Sequence, residues 1–167
     1  GLAHAIAADL EKVGSPVSAA DLAAHQAEIR VPLCVRIRNA QLFNMTPPTQ
    51  GFASLMILAL FDRLGVTEAE GFAHVHGLVE ATKTAFAKHR AINLGDVRFM
   101  RADAQSVLDD AAGLDAMAAG IDMQKASPWP RPSEPGDTTW FAAADSNGRV
   151  VSAIQSTYFE FGSGIVL

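Results

Sequence analysis

Two β-rich runs closing on Ser146-Asn147-Gly148 constrain this 167-residue chain more than any other stretch. Thr138 to Asp145 and Arg149 to Thr157 are dense in β-branched and aromatic residues and read as strands. A three-residue hairpin loop places its last residue in the left-handed backbone region, which glycine enters without strain. That loop pairs Asp145 with Arg149, and counting back sets Thr138 opposite Ser156, with both hydroxyls on one face. A two-residue loop would put Thr157 there instead. Trp140, Ala142, Ala144, Val150, Ile154 and Tyr158 share the Thr138 face; Phe141, Ala143, Val151 and Ala153 share the other. Two apolar faces predict a hairpin buried on both sides within a layered structure.

Thr138 follows Asp137 and precedes Thr139. An N-terminal threonine carries nucleophile and base together: the hydroxyl attacks, and an α-amine with a pKa of about 7.7–8 accepts the proton. An internal threonine lacks that amine. Such chemistry requires the Asp137–Thr138 bond to break, through attack of the Thr138 hydroxyl on its own preceding carbonyl. On spacing alone, an ordinary sandwich hairpin, its Thr-Thr reflecting β-propensity, is the favoured reading.

The first two-thirds of the chain is mostly helical. Leu2 to Val13 is an Ala-rich helix stopped by Gly14-Ser15-Pro16, and Ser18 with Asp21 forms a capping box for a short helix through Ala24. Pro32 to Ile37 and Gln41 to Asn44 read as a strand pair, and Pro47-Pro48 turns the chain into a helix from Gly51 to Leu64. Glu68 to Arg90 is the longest helix, with Phe72, Val75, Val79, Thr82 and Phe86 spaced for one buried face. Ala102 to Gly113 and Leu114 to Ile121 are weaker helices. Lys125 to Gly136, with Pro128, Pro130, Pro132 and Pro135, reads as a mobile linker suited to swing away after cleavage.

A net charge of −5 with scattered Lys and Arg argues against a nucleic-acid partner. Cys34 is the single cysteine, which excludes an intrachain disulfide and a cysteine metal site and reads as packing. The best membrane candidate, Phe52 to Phe61, is too short to span. His74 and His76 point roughly 200° apart on a helix and cannot share a metal. Lys83, His89 and Arg90 read as a solvated basic helix end rather than an anion site.

Four blocks, in order across nearly the whole chain, resemble the gamma-glutamyltranspeptidase family of N-terminal-nucleophile hydrolases. They are Val17-Ser18-Ala19-Ala20-Asp21-Leu22; Pro47-Pro48-Thr49-Gln50-Gly51; Glu80-Ala81-Thr82-Lys83-Thr84-Ala85-Phe86-Ala87 leading to Asn93-Leu94-Gly95-Asp96 and Phe99; and Gly136-Asp137-Thr138-Thr139. The resemblance implies an α+β fold: a fragment of a four-layer αββα N-terminal-nucleophile hydrolase, mostly helical up to residue 124 and followed by a buried β-hairpin. It makes residues 1–137, with the Pro-rich linker 125–137, the C-terminal part of a large subunit. Residues 138–167 become the N-terminal part of a small subunit from the same precursor. By the same resemblance Thr138 is the nucleophile, Asp137 the new carboxyl terminus, and Ser156 the supporting hydroxyl. The piece is expected to be inactive alone.

Departures from the family pattern bear on substrate. Trp140 stands where the family has His, and Tyr158 where the transpeptidases carry an Asn that holds the substrate's α-amino group. Both are taken as substrate-binding. These changes resemble a divergent branch that includes oxamate amidohydrolase and cephalosporin-acylase-like enzymes. The expected reaction is cleavage of a small-molecule amide through an acyl-enzyme, with hydrolysis favoured over transfer. No metal or organic cofactor, nucleic acid or membrane enters it, and a homo-oligomer is allowed. True gamma-glutamyl transfer and a non-catalytic relative acting in assembly or binding stand as alternatives. Localisation stays open between cytoplasm and periplasm.

Overall fold

The computed structural model describes residues 1–95, 97–129 and 139–155. The chain divides into two compact units, Ile29–Pro130 and Gly1–Glu28 with Arg131–Leu167.

The first of these is built on one helix. Strands β1 (Leu33–Ile37) and β2 (Ala40–Asn44) pair antiparallel, Leu33 against Asn44 through Ile37 against Ala40. The chain then turns through a cis Pro47–Pro48 bond into helix α3 (Gly51–Arg63). Gly51 is required there, because a Cβ would stand 2.2 Å from the Met45 carbonyl oxygen. Nearly every position of α3 is apolar, the pattern of a helix enclosed on most sides. Phe52, Leu55, Met56, Ala59 and Leu60 are fully buried, each large side chain contributing about 1.5–3 kcal/mol by leaving water.

Helix α4 (Phe72–Ala91) packs along α3. It begins four residues later than Glu68, and its buried face is Gly77, Glu80, Ala81 and Ala85 rather than the expected apolar stripe. Phe72, Val75 and Val79 are 71%, 55% and 46% exposed, and Phe86 is only partly buried. The reason lies across the interface. Because α3 supplies the bulk, α4 meets it with small residues, and a Cβ on Gly77 would already press Phe61 and Leu64 at 3.1–3.3 Å. Helices α5 (Ala104–Asp109) and α6 (Ala111–Ala119) divide at Asp110, not Gly113. Asp103 and Asp110 cap them by accepting from the Ser106 and Gly113 amides.

In the other unit, α1 (Leu2–Lys12) and α2 (Ala19–Ala24) match expectation, including the capping box. The Asp21 carboxylate accepts from the Ser18 hydroxyl at 2.6 Å and the Ser18 amide at 2.8 Å, which holds its pKa below the usual range. Strands β3 (Thr139–Ala144) and β4 (Val150–Gln155) form the expected hairpin, with Thr139 against Gln155 and Ala144 against Val150. Within this chain, both of its faces are open. Trp140 and Ile154 on one face, and Phe141 and Val151 on the other, are all more than half exposed. A lone two-stranded ribbon cannot cover its own faces.

Candidate active site

The hairpin loop is fixed by Asp145. One carboxylate oxygen accepts from the Asn147 and Arg149 amides at 2.9 and 3.0 Å, and the other from Arg149 Nε at 2.7 Å. Gly148 takes φ +78° and its amide bonds the Asp145 carbonyl, which sets the three-residue loop and the register. The Arg149 amide, foremost among these contacts, holds the Asp145 carboxyl below the usual range. Besides ending the strand, Asp145 is the acceptor that sets the loop, a role readable from the Asp-Ser-Asn-Gly pattern.

Of the residues assigned to chemistry, Trp140 lies within the described hairpin. It faces Ile154, and its indole nitrogen donates to the Ser152 hydroxyl at 2.7 Å. Thr138, Asp137, Ser156 and Tyr158 lie outside the described residues, as do Pro130 to Gly136 of the linker.

A second constellation surrounds α4. Glu80 is 2% exposed. One of its oxygens accepts from Lys83 Nζ at 2.6 Å and the other from the Ser127 amide at 3.1 Å. Lys83 also donates to the Ser127 carbonyl at 2.6 Å. Burial pushes the Glu80 carboxyl up, but the bonds from Lys83 and Ser127 together outweigh it and leave the pKa lowered. Further along, the Arg90 guanidinium sits 5.6 Å from the centre of the Trp129 ring. The basic end of α4 is therefore not simply solvated. His89 lies near Phe52 and Phe86, and its Nε2 is buried with no hydrogen-bond partner among the described residues. Burial, with Arg90 adding to it, lowers the His89 pKa and favours the neutral ring.

Among the described residues, no three His, Cys, Asp or Glu side chains gather in a group able to hold a metal, and no helix is long and apolar enough to cross a membrane. His76 Nε2 lies 2.9 Å from the Asp122 carbonyl oxygen, and His74 meets the Phe61 ring edge-on. Shallow clefts of about 300 and 360 Å³ flank the β1–β2 pair, and no residue assigned to chemistry lines either.

The fold combines helices with two small two-stranded antiparallel sheets. It matches a cephalosporin acylase from Bacillus halodurans with a TM-score of 0.76 at 28% identity, over 99% of this chain and 30% of that one. The gamma-glutamyltranspeptidase family model matches residues 1–167, and the chain belongs to that family. Oxamate amidohydrolase proenzyme of Klebsiella pneumoniae is 43% identical over 99% of this chain and 31% of its own length. Glutathione hydrolase proenzyme of Escherichia coli is 31% identical over 99% of this chain and 30% of its own length. The chain thus spans about a third of the length of these relatives.

Proposed function

We propose that this chain is part of a self-processing N-terminal-threonine amidohydrolase that cleaves a small amide, with hydrolysis favoured over transfer. The observation that carries the reading is the hairpin register. Continued by one pair beyond Thr139 and Gln155, the ladder would set the Thr138 hydroxyl against the Ser156 hydroxyl. In the precursor, the Thr138 hydroxyl adds to the Asp137 carbonyl and the peptide C–N bond breaks. An ester and a free Thr138 amine result. Water then opens the ester, releasing the Asp137 carboxylate as the end of a large subunit and Thr138 as the start of a small one.

The same hydroxyl next attacks a substrate amide while the α-amine takes its proton. The proton passes to the leaving amine, and water hydrolyses the acyl-enzyme. Thr138 brings its own base, so this scheme assigns no metal or organic cofactor. Ser156 supports the nucleophile, and Trp140 and Tyr158 shape the substrate site. A phenol at position 158 is bulkier than an amide and does not reproduce its donor and acceptor pair. That change, and the higher identity to an oxamate amidohydrolase proenzyme than to a glutathione hydrolase proenzyme, favour a small oxamate-like amide.

A panel of oxamate, acyl-lactams and gamma-glutamyl anilides, offered to the complete protein with and without an acceptor dipeptide, tests the reading. Ammonia release from oxamate, unchanged by the acceptor, is expected. Faster turnover of the anilide, stimulated by acceptor, would instead favour true gamma-glutamyl transfer. Turnover that survives Thr138→Ala would remove Thr138 from the mechanism.

A further inference from the structure

The Glu80–Lys83 pair is not a surface ornament of α4. Glu80 is buried, and an ion pair taken out of water is retained at a cost in desolvation unless its remaining donors and acceptors find partners. Here both partners come from one peptide unit's neighbourhood. The Ser127 amide bonds Glu80 and the Ser127 carbonyl bonds Lys83, so the pair grips the backbone at that residue from both sides.

Two more contacts continue the pattern. His76 meets the Asp122 carbonyl and Arg90 covers Trp129. Positions 76, 80 with 83, and 90 on α4 thus meet 122, 127 and 129 in the same order. The chain after α6 follows α4 towards its C-terminal end. Trp129, the last of these anchors, stands nine residues before Thr138.

We infer that Glu80 and Lys83 are positioning residues for self-cleavage: they clamp Ser127 and, with Arg90 on Trp129, fix the upstream end of the segment that carries the Asp137–Thr138 bond. The inference rests on the reading of Thr138 as a self-processing nucleophile. The anchors hold the backbone nine positions before Thr138, and the rearrangement needs that backbone to present the Asp137 carbonyl to the Thr138 hydroxyl in one orientation.

The test uses the complete precursor carrying Ser127→Pro with Trp129→Ala. The proline removes the amide that bonds Glu80 and puts a ring carbon where that amide hydrogen pointed at the carboxylate, which pushes the backbone off Glu80 and its carbonyl off Lys83 while leaving the Glu80–Lys83 pair on the helix. Ser127→Ala, which keeps both backbone groups and loses only the smaller contact of the Ser127 hydroxyl with Glu80, is the control. Two readouts are taken. In a Thr138→Ala background, tryptic cutting after Lys125, normalised to the same cut in a free peptide of each variant's sequence, reports the clamp, and the double variant should be cut about tenfold faster if docking protects that bond. With Thr138 present, the time course of intact mass reports processing, which should slow at least twofold in the double variant and stay near the parent rate in the control. Faster cutting at Lys125 with an unchanged processing rate overturns the positioning role. Unchanged cutting at Lys125 overturns the clamp. A parent that never processes overturns the Thr138 reading and the positioning role with it, and the tryptic result still reports whether the clamp exists.

Discussion

The α3–α4 layer and the β3–β4 hairpin have comparable apolar content and opposite means of support. In the first, Phe52, Leu55, Met56 and Leu60 are enclosed against Gly77, Ala81 and Ala85, and packing carries the stability. In the second, Trp140, Phe141, Val150, Val151 and Ile154 are exposed, and the geometry rests on the ladder and on Asp145 at the turn. A bulky residue in the helical layer is therefore a structural commitment. In the hairpin the same kind of residue is available for another surface or a substrate.

The sharpest break in that contrast comes from truncations. Leu60→Ala should cost about 2–5 kcal/mol in denaturant unfolding, from lost transfer energy and the cavity left behind. Ile154→Ala, at 69% exposure, should stay within about 0.5 kcal/mol. If the two cost the same in the complete protein, the hairpin faces are covered there and its exposure belongs to these residues alone. Next in size is Gly51→Ala. Its Cβ would overlap the Met45 carbonyl, so the turn must shift, and a loss of about 1–3 kcal/mol is expected by the same assay.

A smaller effect follows from acid. Glu80 has a lowered folded-state pKa, so its contribution is complete above the ordinary glutamate range and fades as pH falls through the depressed value. Unfolding curves collected downwards from pH 6 should show acid sensitivity in the parent that is reduced in Glu80→Gln. An identical pH dependence in the two would mean that Glu80 titrates normally. The mildest change is Asp145→Ala, which removes the acceptor at the loop and should loosen the register while leaving the helical unit's unfolding transition in place. Cross-strand NOEs between Ala142 and Ser152 would report it, and unaltered NOEs would show that Gly148 alone sets the turn.

Local chemistry was legible in the sequence where a few adjacent residues decide the structure. The Ser18–Asp21 capping box, the Pro-Pro entry to α3 and the glycine-terminated hairpin loop all followed from short-range rules. The buried side of α4 did not follow, because it depends on the bulk of α3. A stripe of Phe72, Val75 and Val79 looks like a core face until the partner proves to demand Gly and Ala. The α5–α6 break was misplaced for a related reason: Gly113 draws the eye, yet the side chain of Asp110 provides the cap. Of the candidate site, the register was readable from the loop. The burial of Glu80 was not, since its partner Ser127 lies 47 positions away.

The most direct test of the account is the intact mass of the complete gene product after incubation at neutral pH. Two fragments that part between Asp137 and Thr138, both absent in Thr138→Ala, are the predicted result. A folded protein that remains one uncut chain would contradict it and favour a non-catalytic member of the family.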